Sequence, residues 1–480
     1  MEETLLPRKC SEYNGLVSEN GAFLEQLKQV SFMAAPMVAV TLAQFLLQFV
    51  SLMMAGHLGG ALSLSGVALG TSFANVTGFS VILGISGALE TLCGQTFGAE
   101  QFHKFGNYAF SAIICLTLVC VPISILYVFM DQILVLFGQD PAISLVAGKY
   151  CTWLIFALFG NAVLEALLCY FQTQSLIFPM VLSSTIALVL HIPICWALVF
   201  KSRLEENGAA LAIGISSWLN VILLVIYMKY SPSCEKTAIV FSMDALLHIK
   251  EFFWLAIPSA LMVCLEWWSF ELLVLLSGLL PNPALETSVL AICLNVVELH
   301  YNIPYGIGAA ASTRVSNELG AGRPQVARVA VRVVIVIAMI EAIVFCSAIF
   351  CCRHVLGYAF SKDKEVVDYV ADITPLLCLF VVVDCVVAIL SGIARGSGWQ
   401  KIGAFINLGA YNGVGIPVSV LLAFVFHLRG KGLWIGILTG ATIQTIVLGF
   451  ITALTNWEKQ AYLARERIFE GAFQDHNRLV

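Results

Sequence analysis

Seven carboxylic acids stand inside apolar runs of this 480-residue chain: Glu90, Glu165, Glu266, Glu271, Glu298, Glu341 and Asp384. A charge at the centre of a hydrocarbon layer costs about 2.5–3.5 kcal/mol on insertion scales, so each acid needs a reason to be there. Arg332 is the one basic residue read as deep enough in a run to pair with them. A carboxyl group without a cationic partner favours its neutral form in a low dielectric. It can hold a proton and release it when water or a cation arrives. Glu298 adjoins His300 and Asn302, a polar cluster in an apolar setting. Glu271 follows Glu266 by five residues, about 140° around a helix of 3.6 residues per turn, so the two do not share one face squarely. It is expected to line an entrance. Glu341 and Glu165 fit a structural partnership with a polar neighbour as well as a functional role, and Glu90 reads as a helix-end or gate residue. Trp267, Trp268 and Tyr301 flank the acids, and aromatic faces attract organic cations by roughly 0.5–2 kcal/mol each. Tyr301 and Asn302, beside other polar groups, are the preferred substrate contacts, with Glu266, Glu271 and Trp267. His300 could relay protons, whereas His191 reads as a satisfied core histidine.

The elements that hold these residues follow from composition. Apolar residues make up 59% of the chain and charged residues 11%, against about 25% charged in a soluble domain. Mean hydropathy is +0.90. A set of soluble domains is excluded, and a net charge of −5 offers no basic surface for a nucleic acid backbone. The 15 cysteines fall mostly in apolar runs and read as packed or lipid-facing thiols. The first 20 residues lack an apolar signal core, so no cleavable signal peptide is expected. A helix crosses a bilayer with about 20 apolar residues. Twelve such runs occur, near 30–55, 66–93, 107–130, 146–169, 178–200, 208–229, 252–279, 288–313, 325–351, 366–393, 402–426 and 432–454. The expected fold is an all-α membrane protein of twelve transmembrane helices. Lysine and arginine number sixteen on one set of connections and eight on the other, which places both termini in the cytoplasm.

The chain also repeats itself. At an offset of 222, Lys28 falls on Lys250, Pro36 on Pro258, Gly56 on Gly278 and Gly98-Ala99 on Gly320-Ala321. With six spans per repeat, the halves are parallel, two lobes facing a central cavity, which suits alternating access. The expected divisions are a cytoplasmic segment 1–29, an N-lobe 30–229, a linker 230–251, a C-lobe 252–454 and a cytoplasmic tail 455–480. The repeat ranks the acids. Glu266 corresponds to Gln44, and Asp384 to Asn161. An amide keeps the hydrogen-bonding shape but cannot titrate. Proton coupling is therefore assigned to Glu266, Asp384 and Glu298 in the C-lobe, with Gln44 and Asn161 as substrate contacts. Pro36 and Pro258 each remove a backbone hydrogen bond near the start of the first helix of a half. A hinge, visible as a bend or local irregularity, is expected at both.

Three motifs carry a resemblance: CGQTFGAE at Cys93–Glu100, RVSNELGAG at Arg314–Gly322, and RGSGWQKIG at Arg395–Gly403 followed by Asn407 and YNGVGIP at Tyr411–Pro417. Together they resemble the eukaryotic multidrug and toxic compound extrusion (MATE) family in its plant detoxification branch, over roughly residues 25–460. The resemblance implies an antiporter, not an enzyme, exporting small organic solutes, often cations, in exchange for protons. It implies no bound cofactor. Acids at matching places in spans seven and ten are typical of eukaryotic members. The motifs themselves read as hinges or gates, with Arg314 and Arg395 at the cytoplasmic interface, able to snorkel or pair with Glu318. A functional monomer in the plasma membrane, rather than the vacuolar membrane, is expected. Sodium coupling on the same fold, a lipid-linked precursor flippase and a channel stay open as alternatives. Gly306, Gly308 and Ala311 match a GxGxxA pattern, but inside an apolar helix with no preceding strand they make no dinucleotide site.

Overall fold

The structure, a computed structural model, describes residues 19–58, 60–239 and 246–476. Among these residues, twelve helices are long and apolar enough to cross a membrane. They are α1 (Gly21–His57), α2 (Leu62–Gly98), α3 (Phe102–Val128), α4 (Pro141–Thr173), α5 (Ile177–Lys201) and α6 (Glu206–Tyr230). The second set is α7 (Ile249–Ser277), α8 (Pro283–Gly320), α9 (Pro324–Ala359), α10 (Lys364–Ser397), α11 (Gln400–Val425) and α12 (Arg429–Leu454). Each matches one apolar run, and most begin earlier than the run does. The reason is capping. Asp140 accepts from the backbone N–H of Ala142 and Ile143 at 2.9 and 3.1 Å, with Pro141 opening α4. Asp363 caps α10 through Glu365 N–H at 3.0 Å, and prolines open α8 and α9. These polar or proline starts add residues that hydrophobicity does not register, more than a full turn at α4 and α8 and less than one at α9 and α10.

The expected flanking segments are partly helical. Residues 1–18 lie outside the described residues, and α1 already begins within the expected 1–29 segment. In the expected linker a single 3₁₀ turn, Pro232–Cys234, follows α6, and residues 240–245 lie outside the described residues. The expected tail carries a helix too polar to span, α13 (Trp457–His476); residues 477–480 lie outside the described residues.

Packing divides the chain into two compact units. One is Ala39–Ala260; the other runs from Leu261 onward and includes α1 as far as Val38. The divisions fall two residues after Pro36 and two residues after Pro258. Helices α1 and α7 therefore each contribute to both units. Two glycines account for this. A Cβ on Gly84 of α2 would stand 2.6 Å from Ala260 Cα of α7, and a Cβ on Gly306 of α8 would stand 2.8 Å from Val38 N of α1. Gly84 and Gly306 differ by 222, as do Val38 and Ala260, so one backbone-on-backbone contact occurs once in each unit. Only a residue without Cβ permits that approach. Neither proline interrupts its helix. Irregular hydrogen bonding is found at other places among the described residues. Wider π-type turns occupy Asn75–Phe79 of α2, Ala197–Lys201 of α5, and Leu408–Gly415 and Leu421–Val425 of α11.

The motifs have definite structural work. After α2, N–H groups of Ala99, Glu100 and Gln101 donate to the carbonyls of Gln95, Phe97 and Thr96. After α8, Ala321, Gly322 and Arg323 donate to Asn317, Leu319 and Glu318, the same turn 222 residues on. Its left-handed position holds Gly322 (φ 72°) in one copy and Glu100 (φ 59°) in the other. The second and third motifs also seat α13. Its buried stripe of Trp457, Ala461, Ala464 and Ile468 has helical spacing. Trp399 Nε1 donates to Gln460 Oε1 at 3.1 Å, and Arg465 reaches the Gly320 carbonyl at 3.4 Å.

Candidate functional site

In the unit that begins at Leu261, α8 and α10 pack backbone to backbone. A Cβ on Gly392 would overlap the Gly308 carbonyl, and one on Gly396 would stand 2.5 Å from the Ser312 carbonyl oxygen. Further along the same helices, Tyr301 and Asp384 come to the level of Glu266 on α7. Glu266 is 6% and Asp384 1% exposed, and their charges act on each other. Tyr301 lies within reach of both charges, and so does Tyr411 of α11. Asn407 of α11 donates through Nδ2 to the Met262 carbonyl at 2.7 Å, and the same nitrogen lies 3.5 Å from Glu266 Oε2. Gln444 of α12 stands beside the Glu266 carboxylate. Five helices, α7, α8, α10, α11 and α12, thus converge on one polar pocket of side chains in an apolar unit.

Several of these groups are buried without a hydrogen-bond partner: Asp384 Oδ2, Tyr411 Oη and Asn407 Oδ1. A buried polar atom left unpaired costs about 1–3 kcal/mol. Around the two carboxyls these groups leave hydrogen-bonding capacity that water or a polar guest can take up. A cation lies near the site: Arg395, in the last turn of α10, is 5% exposed. Its guanidinium lies 5.6 Å over the Tyr305 ring, and its charge reaches Glu266 and Tyr301. No basic residue deep in a span other than Arg332 was expected near the acids; Arg395 reaches them from the end of its span. Glu318 forms its ion pairs with Arg314 and Arg323, each at 2.7 Å.

The other expected residues fall into separate groups. Glu298 and Glu271 lie within electrostatic reach of each other. Glu298 is exposed, Glu271 and Trp267 are half-buried, and Trp268 is 40% exposed. Asn302 donates to the Glu298 carbonyl at 2.9 Å. In the other unit, Gln44 and Asn161 are half-buried, and Gln44 Nε2 is buried and unpaired. Glu90 is 4% exposed and lies about 12 Å from the end of α2 at 1.5 Å per residue. It is therefore a core acid, not a helix-end one, and its charge acts on Glu165 of α4. His191 is satisfied by Ser51 and Ser216, both at 2.9 Å. His300 Nε2 stands 3.0 Å from Glu341 Oε1. All fourteen cysteines among the described residues are free, and most are buried.

Asn407, Tyr411, Gln444 and Arg395 were not selected as site residues from sequence. The first three are neutral, so a search for intramembrane charge passes over them. Arg395 follows an apolar run and looks like an interfacial anchor.

Twelve membrane-length helices in two repeats, with acids buried among them, are the architecture of a membrane transporter. Comparison with known proteins makes the class specific. The MatE family matches residues 36–197 and 258–421, one copy per half, and the chain belongs to this MATE family of transporters. It is an integral, multi-pass membrane protein and not an enzyme. It is 54% identical to Protein DETOXIFICATION 9 of Arabidopsis thaliana over 95% of this chain and 94% of that one. It is 56% identical to Protein DETOXIFICATION 8 of the same plant, over 93% and 92%. The crystal structure of the eukaryotic MATE transporter AtDTX14 superposes with a TM-score of 0.90 at 53% identity, covering 93% of this chain and all of that one. An outward-facing multidrug resistance MATE transporter at 16% identity shares the fold, with a TM-score of 0.80.

Proposed function

We propose that this protein exports xenobiotics or organic metabolites, often cationic, in exchange for protons by alternating access, with Glu266 and Asp384 carrying the proton. The observation that supports this most is their burial together, on different helices, among polar groups without partners. Two like charges in a low dielectric oppose joint ionisation, so the pair binds and releases protons as a unit. When protonated, the pair is neutral and can hydrogen-bond internally, drawing α7 toward α10. When deprotonated, it attracts a cationic substrate and leaves Arg395 as the local counter-charge. Proton and substrate then compete for one site, which produces antiport without a separate gate. Tyr301, Asn302 and Trp267 supply a face for an organic cation, and Glu298 and Glu271 extend the negative path. Pro36 and Pro258 serve as hinges within α1 and α7. Both termini are assigned to the cytoplasm, the membrane to the plasma membrane, and the working unit to the monomer.

The test is efflux of an organic cation from proteoliposomes under an imposed pH gradient, repeated with a sodium gradient alone. Glu266→Gln and Asp384→Asn preserve shape and remove titration, so each abolishes pH-driven efflux while the protein still reaches the membrane. Efflux at the wild-type rate in both variants, or efflux driven by sodium alone, defeats the proposal.

A further inference from the structure

Behind the proton site, one carboxylate ties three helices together. Glu341 of α9 offers both oxygens to His300 Nε2 of α8, at 3.0 and 3.2 Å. The Cys385 thiol of α10 lies 3.4 Å from its Oε2 and 3.4 Å from the Ala338 carbonyl one turn earlier on α9, so its one S–H is shared between two acceptors of the same helix. His300 is fully buried and lies against the Phe345 ring of α9, with centroids 4.1 Å apart. Cys385 is fully buried as well. The two residues that Glu341 holds each adjoin a residue of the proton site: His300 precedes Tyr301, and Cys385 follows Asp384.

We propose that Glu341 is a positioning residue for proton exchange, setting the rotation of α8 and α10 so that Tyr301 and Asp384 both face Glu266. This rests on the reading of that site given above. Consecutive helical residues point 100° apart, so a fixed contact at one residue fixes the direction of the next. A side-chain tip stands about 5–6 Å from the helix axis, so a 10° rotation displaces it by about 1 Å. A displacement of that size can cost about 100-fold in rate. The glycine contact between α8 and α10 cannot supply this control alone. Gly308 lies eight residues beyond His300 and Gly392 seven beyond Cys385, about 10–12 Å down the axes. Close backbone contact there sets the spacing, and the Glu341 bridge sets orientation at the level of the acids. The sequence left Glu341 between a structural and a functional role; its two partners now join the roles.

The test uses the full-length protein in liposomes and a readout independent of transport. A hydrophobic carbodiimide labels buried, protonated carboxyl groups, and mass spectrometry gives the Asp384-to-Glu266 labelling ratio. Glu341→Leu removes both contacts, Glu341→Gln keeps acceptor and shape, and Cys385→Ala removes one arm. Glu341→Leu is expected to shift the labelling ratio by at least about 3-fold and to lower the maximal efflux rate by more than about 10-fold, with a smaller change in KM. Glu341→Gln is expected to restore both to within about 2-fold, and Cys385→Ala to fall between. If Glu341→Leu does not fold, Cys385→Ala and His300→Gln carry the same measurement. An unchanged ratio in the variants that fold overturns the proposal. So does a Glu341→Gln protein as impaired as Glu341→Leu, which would make the charge itself the requirement. Wild-type efflux indifferent to the pH gradient, with the ratio still shifted by Glu341→Leu, refutes the proton-exchange reading and upholds the positioning one.

Discussion

Adding one methyl group at Gly306 or Gly84 tests whether the two units are built on repeat-related backbone contacts. In Gly306→Ala the new Cβ meets Val38 N at 2.8 Å and Val38 Cα at 2.9 Å; in Gly84→Ala it meets Ala260 Cα at 2.6 Å. Carbon contacts become favourable near 3.5 Å, so the helices must part by about 0.6–0.9 Å. Overpacking of this kind costs about 1–3 kcal/mol. The two contacts lie in different units and share no partner, so the double variant should lose the sum, about 2–6 kcal/mol. Val38→Ala should not rescue Gly306→Ala fully, because the obstructing N and Cα belong to the backbone. The buried thiols give a convenient assay. A maleimide dye that fluoresces on reaction reports their exposure as the detergent-solubilised protein is heated, above a constant signal from the exposed Cys351 and Cys352. Each single variant should unfold at lower temperature, and the double variant lower still. Midpoints within 1 °C of wild type in both single variants, an allowance on the scale of ordinary surface substitutions, would refute the contact argument. Complete rescue by Val38→Ala would refute it too.

Gln44→Ala and Asn161→Ala should weaken substrate binding or stability while leaving substrate-induced proton flux per molecule transported unchanged; loss of coupling with normal binding in either would move titration into the other unit. Glu100→Gly places glycine at the left-handed position that Gly322 occupies in the repeat, and should stabilise the turn by about 0.5–1 kcal/mol, read as a higher unfolding midpoint. Glu318→Ala leaves Arg314, whose side chain is 15% exposed, with Gln26 as its remaining partner across 3.0 Å. The expected loss is about 2–4 kcal/mol, limited because Arg323 is open to solvent. Glu318→Gln should recover about half of it, measured by the same thermal assay.

The twelve spans were legible because a membrane helix cannot conceal its hydrophobic run. Their true lengths were not, because the cap Asp140 and openings such as Pro283 are polar or neutral and add a turn or more outside the run. Repeat alignment singled out Glu266 and Asp384 by setting acid against amide, and the structure brings these two together. It could not find Asn407, Tyr411 or Gln444, since each contributes dipoles rather than charge. Nor could it show that Arg395 lies over the Tyr305 ring of α8 with its charge in reach of Glu266. Glu90 and Glu165 lie far apart in sequence on α2 and α4, and nothing in their spacing announces that they face each other. The exchange of helix segments at Val38 and Ala260 was hidden for a related reason. It depends on glycines 84 and 306, which look like many other glycines until the opposing backbone is seen.

That exchange governs the order in which the protein can be made. The unit Ala39–Ala260 is not complete until the opening of α7 has been synthesised, although α7 belongs to the second repeat. The leading half of α1 enters the membrane first, yet its glycine partner lies 268 residues later, at 306 − 38. At about 5–20 residues per second, roughly 13–54 s separate their synthesis. Through that interval the leading half of α1 must be sheltered by lipid, by the insertion machinery or by a temporary neighbour. A gene divided within the linker would yield two fragments, each carrying a segment that the other needs. Co-expressed, the fragments can complete each other by reciprocal exchange; expressed singly, each remains one helix segment short of its own compact unit.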